Sequence, residues 1–101
     1  MGKIIAEVTV VPLGTATTSL SQFVAEAEKI LKNFPAVTSL LTPMSTILEG
    51  ELAEVLAAVQ AMHETPFQNG ALRVSTRISI DDRRDREITM EGKLAAVKSK
   101  M

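Results

Sequence analysis

The chain lacks most of the residue types that enzymes use for metal, thiol or histidine chemistry. Its 101 residues include no cysteine, tryptophan or tyrosine and a single histidine, His63. Without cysteine there is no disulfide, thiolate metal site or thiol nucleophile. His63 has no second histidine at zinc-protease spacing, and no G-x-S-x-G, Walker A or dinucleotide-binding sequence is present. We therefore expect no metal, no cofactor and no standard catalytic set.

Excess charge and long apolar runs are also absent. Eleven Lys and Arg face twelve Asp and Glu, which argues against a nucleic acid or an anionic membrane as a partner found by charge alone. The only aromatics are three phenylalanines, and none falls in a predicted strand, where RNA-binding modules stack bases. No apolar run approaches the roughly 18 residues that cross a bilayer, and the first thirteen residues contain Glu7 and no cleavage site. We expect a cytoplasmic protein.

What is present is a regular pattern of aliphatic residues over the whole length. Hydrophobic residues make up 46%, enough for one domain over residues 1–101 with an aliphatic core. Apolar residues alternate over 3–12 and 71–80 and recur at helical spacing over 19–33 and from 52 to about Thr65-Pro66. Hydroxyls in the segment 15–21 are candidates for the first helix cap. Short strands at 37–42 and 46–49 and a C-terminal helix complete the pattern.

This order of elements predicts an α+β protein with the ferredoxin-like split β-α-β arrangement, βαββαβ. Its four-stranded antiparallel sheet would have two helices on one face, and the short C-terminal helix would follow the last strand. With the usual strand order 4-1-3-2, the other face would be open. We expect that face to carry these side chains: Glu7, Thr9, Arg73, Arg77, Ile47 and Glu49.

Apolar residues among the charges of the open face predict that it meets another copy of the chain. Ile5, Val11 and Ile47 would not be needed on a fully solvated face. We therefore expect a homo-oligomer, a homodimer or a tetramer built as a dimer of dimers, packed through this face.

Glu49 is the residue that needs an explanation. Acidic side chains are depleted in strands, and a buried carboxylate costs free energy unless a donor or a cation meets it. Two interpretations stay open for Glu49, and for Glu7 in the neighbouring strand. Each is either one member of a salt bridge at an interface or a carboxylate that binds an external ligand.

Three motifs resemble those of the small thiamine-binding proteins, a family long catalogued as uncharacterised. They are Pro12-Leu13-Gly14-Thr15, the run from Thr42 to Gly50, and the segment from Arg73 through Ile78, Ile80, Asp81, Asp82 and Arg83. The resemblance covers nearly the whole chain and implies a ferredoxin-like fold and a thiamine ligand. Two positions depart from it: Ser45 stands where glycine is frequent, and Ser39 stands where an aromatic is common.

A pocket at a subunit interface, lined by strand ends and by the loops 12–15 and 43–46, would suit this ligand. Thiamine is a cation with an aminopyrimidine ring, so an acidic side chain such as Glu49 could accept from the amine, with polar groups orienting the ring. The candidate ligand-binding residues are Glu49, Thr46, Met44, Thr15, Gly14, Pro12, Glu7 and Arg77. Other interpretations are a turn glycine for Gly14, a helix cap for Thr15 and a gap filler for Met44.

The charged run from Asp81 to Arg86 is typical of a solvated turn. The alternative is an arginine clamp, with Arg83 and Asp82 contacting a ligand phosphate or a neighbouring subunit.

Together these features predict a non-enzymatic protein that binds thiamine or a thiamine-related pyrimidine. The alternatives are a small oligomeric enzyme that uses Glu49 as acid or base on a ring compound, and a regulatory module that senses a small molecule.

Overall fold

The structure, a computed structural model, describes residues 2–101. Its elements, in chain order, are β1 (Ile4–Leu13), α1 (Ser21–Ile30), β2 (Thr38–Leu41), β3 (Thr46–Gly50), α2 (Leu52–Gln68), β4 (Arg73–Asp81) and α3 (Met90–Lys98). One 3-10 turn, Leu31–Asn33, extends α1. The predicted α+β order βαββαβ with a short C-terminal helix is confirmed.

The four strands form one antiparallel sheet in the order β2-β3-β1-β4. This is the predicted order, with the long strand β1 in the interior of the sheet between β3 and β4. The ferredoxin-like arrangement places β1 against both helices on one face, as the alternation of its apolar residues indicates.

The core lies between the sheet and the helices α1 and α2, and it is aliphatic. Alternate residues of β1, beginning at Ile4, are buried on that face, and Leu48 of β3 beside them is fully enclosed. Val55 and Met62 of α2 close the core from the helix side. This packing leaves the other residues of β1 and β3 on the opposite face of the sheet.

Helix α2 continues past the position at which the sequence predicted its end. It runs to Gln68 with Pro66 inside its last turn, a little beyond Thr65-Pro66, where the sequence predicted fraying. A proline has no N–H to donate to the carbonyl four residues before it, here that of Met62. The Thr65 hydroxyl donates to this carbonyl at 2.8 Å, and the helix therefore tolerates the proline.

The segment before α1 differs from expectation because the hydroxyls of Thr15 and Thr17 bond to backbone groups of their own segment and do not cap the helix. The N-cap residue is Leu20, which makes no side-chain capping bond, so the predicted hydroxyl cap is wrong. Thr15 donates instead to the Thr17 carbonyl at 2.7 Å, and the Ser19 N–H donates to the Thr17 hydroxyl. Gly14 has φ of +75°, the conformation of a turn glycine.

Helix α3 is capped by Thr89, whose hydroxyl accepts from the Gly92 N–H, and none of its residues is buried. Lys93 of this helix is paired with Asp81 at the end of β4. Within residues 2–101, no helix combines the length and the apolar character that crossing a membrane requires.

Candidate functional site

The open face of the sheet is organised in rows of side chains that run across the strands. One row joins Thr38, Glu49, Ile5 and Asp81, and the next joins Leu40, Ile47, Glu7 and Ser79. Thr9 and Arg77 are paired farther along β1. The sequence therefore assigned these side chains to the correct face. Since Asp81 belongs to it and binds Lys93, α3 begins on this side of the sheet.

Glu49 is buried and incompletely hydrogen-bonded. It is 8% exposed, and its Oε1 is enclosed without a hydrogen-bond partner among the described residues 2–101. None of the ion pairs formed within residues 2–101 involves this carboxylate. A buried carboxylate oxygen without a partner costs free energy, because it has lost water and gained nothing in return. Glu49 Oε1 is thus an unused acceptor in the part of the chain that the structure describes.

Glu7 and Arg77 line one shallow depression on the same face, but they are not an ion pair. The Glu7 carboxylate accepts a hydrogen bond from the Ser45 hydroxyl at 2.8 Å. That bond ties the β2–β3 hairpin to β1. Ser45 therefore has a defined role at the position where glycine is frequent in the sequences that this chain resembles.

Thr46 and Met44 lie at the β2–β3 hairpin, as Ser45 does, but they lie on the side of the sheet that faces α1. Thr46 is 5% exposed. Its hydroxyl donates to Glu28 Oε2 of α1 at 2.8 Å. Because side chains alternate along β3, Thr46 and Glu49 face opposite sides, and one protomer cannot bring them into one pocket. Met44 is 86% exposed at the hairpin tip and is not a core gap filler.

A cavity of about 270 Å³ lies between α1 and the hairpin. We call it the notch; it is lined by Val8–Val11, Leu20, Val24, Ala27, Glu28, Leu41–Thr46 and Met62. Its one acidic residue, Glu28, was missed in the sequence analysis. The available signal was its position four residues after Val24, beside the apolar stripe of α1, which turns it toward the sheet.

Gly14 and Thr15 line a third recess, of about 530 Å³, together with Phe23, Arg73 and the turn after α2. Pro12 is buried with the side chains of β1 that face the helices. The structure of one protomer distributes the other predicted ligand-binding residues over three places. Glu49, Glu7 and Arg77 are on the open face, Met44 and Thr46 are at the notch, and Gly14 and Thr15 are at the third recess.

The charged run after β4 forms ion pairs within itself. Arg83 contacts Asp85 at 2.6 Å and Arg84 contacts Asp82 at 2.8 Å, both at the surface. The hydrogen bond from Arg84 lowers the pKa of the Asp82 carboxyl, and Arg83 does the same for Asp85. Exposed pairs of this kind add little stability, and they occupy the charges that a phosphate clamp would need. In residues 2–101, no group of three or more metal-ligating side chains is gathered.

The fold and the open face define a small α+β protein of the ferredoxin-like class, with a buried acidic group that finds no partner among the residues that the structure describes. The chain belongs to the thiamine-binding protein family, whose sequence profile matches residues 6–98.

Relatives of similar length match the chain in sequence, and a solved structure matches it in fold. The UPF0045 protein YqgV of Bacillus subtilis is 50% identical over 96 residues, which are 92% of each chain. The UPF0045 protein of Methanothermobacter thermautotrophicus is 46% identical over 97% of this chain and 99% of its own. The crystal structure of the protein MJ1052 from Methanocaldococcus jannaschii has a TM-score of 0.87 at 38% identity, covering 97% of this chain and 98% of that one.

Proposed function

We propose that the protein binds thiamine or a thiamine-related pyrimidine, without catalysing its conversion, in a pocket that a second copy completes over the open face. The family to which the chain belongs is named for thiamine binding, which supports the ligand class. The observation that carries the proposal is the buried, unpartnered Oε1 of Glu49.

A thiamine-like ligand suits this carboxylate in two ways. Its exocyclic amine can donate to Oε1, and its thiazolium charge is favoured near an anion where water is excluded. Ile5 and Ile47, partly buried on either side of the acidic groups, offer apolar surface for a ring. Arg77 and Glu7 lie farther along the face and would orient the partner copy or the polar end of the ligand.

The second copy is required by this proposal because the open face alone is a surface and not a cavity. Apolar residues lie among charged and polar ones on it, and protein interfaces contain both kinds. The cytoplasmic location and the oligomeric state expected from the sequence stay predictions.

Calorimetric titration with thiamine, its hydroxymethyl-pyrimidine fragment and thiamine diphosphate tests the proposal. We expect saturable heat with at least one of them. Glu49→Gln should weaken that binding about tenfold or more, because a hydrogen bond to a charged group is worth about 1.5–3 kcal/mol. Glu64→Gln, an exposed change on α2, is the matched control and should leave the affinity unchanged.

Absence of heat with all three compounds at millimolar protein would remove the ligand assignment. Equal affinities of the Glu49→Gln variant and the parent protein would keep the ligand and reject Glu49 as its acceptor.

A further inference from the structure

The third recess lies at the end of the sheet where β1 ends and β4 begins. Leu13 and Arg73 are paired there, and Phe23 of α1 and the turn after α2 complete the walls. Leu13 comes eight positions after Ile5, the strand neighbour of Glu49, which is roughly 26 Å at the rise of an extended strand. The third recess is therefore a different place from the pocket of the proposed function.

Arg73 is the only charged residue that lines this recess. Its guanidinium forms no ion pair within residues 2–101. It is not needed to cap α2 either, since the carbonyls of Pro66 and Phe67 already accept from N–H groups of the turn 69–71. The recess thus presents one positive charge without a countercharge, and a carboxylate matches the fork of a guanidinium.

Two other side chains of the recess present acceptor oxygens. The Thr15 hydroxyl donates its proton to the Thr17 carbonyl at 2.7 Å, so its oxygen is left to accept. Asn69 donates from Nδ2 to the Thr65 carbonyl at 2.9 Å, which orients the amide and leaves Oδ1 as an acceptor. In the same recess as a carboxylate-binding arginine, two such acceptors suit a ligand that also carries a strong donor, such as an ammonium group.

The remaining walls of the recess are apolar and accessible. Leu13 is 39% exposed and Leu72 is 95% exposed, and both line the recess with the partly buried Phe23. One exposed leucine needs no explanation, but three large apolar side chains around one recess offer a surface to an apolar group. The volume of about 530 Å³ is within the range of roughly 300–1,000 Å³ found for small-molecule sites.

We propose that the third recess binds an apolar α-amino acid as its zwitterion. The carboxylate would pair with Arg73, and the ammonium group would donate to Asn69 Oδ1 and Thr15 Oγ1. The apolar side chain of the ligand would lie against Phe23 and Leu72. This site is formed by one protomer and uses none of the residues of the proposed function, so it would give the protein a second, separate ligand.

The test is a titration of the ¹⁵N-labelled protein with L-phenylalanine, followed by two-dimensional NMR. We expect the amides of Gly14, Gly70 and Leu72 to shift with saturation. Arg73→Gln, a change at an exposed position, should weaken binding about tenfold, since the carboxylate loses its cation. Arg86→Gln removes the same charge from another exposed arginine without an ion pair in residues 2–101, and as the matched control it should leave the affinity unchanged.

Three analogues separate the parts of the ligand. 3-Phenylpropionate lacks the ammonium group and L-phenylalaninamide lacks the carboxylate, so each should bind several-fold more weakly than L-phenylalanine. Glycine lacks the apolar side chain and should give no saturable shift at the same concentrations.

Recess amides that do not move at millimolar L-phenylalanine would overturn the inference, and so would equal affinities of the Arg73→Gln variant and the parent protein. Equal binding of 3-phenylpropionate would overturn it as well, because the acceptor oxygens would then play no part. Shifts of the same amides that depend on protein concentration without any added amino acid would mean that a second copy fills the recess, which also contradicts it.

Glu49→Gln separates this inference from the proposed function. L-Phenylalanine binding that is unchanged in this variant supports the third recess, whatever the result with thiamine. Binding that is lost in this variant would place the amino acid on the open face and overturn the inference.

Discussion

Glu49 combines three properties that are rarely found together in one residue: an acidic side chain, a place in a strand and nearly complete burial. Its neighbours in the row, Thr38 and Ile5, leave its Oε1 without a partner. A sequence selected for stability alone would place an apolar residue at this position. Under the proposed function, a ligand or a second protomer would complete the hydrogen bonds of this carboxylate.

Removing the carboxylate tests this explanation in the absence of ligand. Glu49→Met is expected to raise the free energy of unfolding by about 1–2 kcal/mol, because it replaces an unpartnered buried oxygen with apolar volume. Urea denaturation of the ligand-free protein measures the change. Glu64→Met on the exposed side of α2 should stay within about 0.5 kcal/mol of the parent protein.

A decrease in stability would contradict that expectation. It would mean that Glu49 is already paired with a cation of another protomer, which is the salt-bridge interpretation of the same residue.

Glu28 shows why some site residues escape detection from sequence. Its position on the inner side of α1 follows from helical spacing, but its partner Thr46 is eighteen residues away. The contact exists only because α1 packs over the start of β3. Patterns within one element therefore place a side chain on a face, and the packing of elements decides what that side chain meets.

At the scale of elements, the last turn of α2 depends on a substitute hydrogen bond. Pro66 deprives the Met62 carbonyl of its usual donor, and the Thr65 hydroxyl takes over that bond. Thr65 is 4% exposed, so losing its hydroxyl would leave a carbonyl that water reaches poorly.

A double-mutant cycle checks this account of the helix end. Thr65→Val is expected to lower the free energy of unfolding by about 1–2 kcal/mol in the parent protein. In the Pro66→Ala background the backbone N–H at position 66 can donate to Met62, so the same change should cost clearly less. Urea denaturation of the four proteins gives the coupling. Equal costs in both backgrounds would show that the hydroxyl does not replace the missing donor.

The strands were easier to predict than the helix ends. β1 and β4 have long alternating patterns, and a period of two residues specifies both the element and its faces. The end of α2 was predicted too early because proline is usually a helix terminator, and the compensation by Thr65 is local hydrogen bonding that no periodicity reveals. The cap of α1 was mispredicted because the hydroxyls of Thr15 and Thr17 bond within their own loop.

At the scale of the whole molecule, the sheet separates two acidic positions. Glu49 lies on the open face, and Glu28 lies in the notch, where it bonds to Thr46. Because side chains alternate along β3, Thr46 and Glu49 point to opposite faces, and the two carboxylates are therefore on opposite sides of the sheet. The sequence predicted the sheet order and the contents of the open face, because both follow from periodicity and topology. The sequence analysis placed the loop 43–46 and Glu49 in one pocket. It could not assign them to opposite faces of the sheet, because that requires the face on which each strand end lies.

The open face also determines the assembly that we expect. Ile47 lies in the middle of that face, with Leu40 on one side and Glu7 on the other. Light scattering coupled to size exclusion should give the mass of a dimer or a tetramer for the parent protein. Ile47→Glu should lower that mass, because a charge would be buried between two sheets without a partner.

Leu72→Glu provides the control for the assembly experiment, since Leu72 is 95% exposed just before β4 and lies off the open face. It should leave the mass unchanged. If the second copy completes the ligand pocket, thiamine binding should weaken in the Ile47→Glu variant in step with the loss of the oligomer. A parent protein that is monomeric at millimolar concentration would exclude that pocket, because no second copy would then cover the open face. The hydrogen bonds of Glu49 would in that case have to come from a group other than a second protomer.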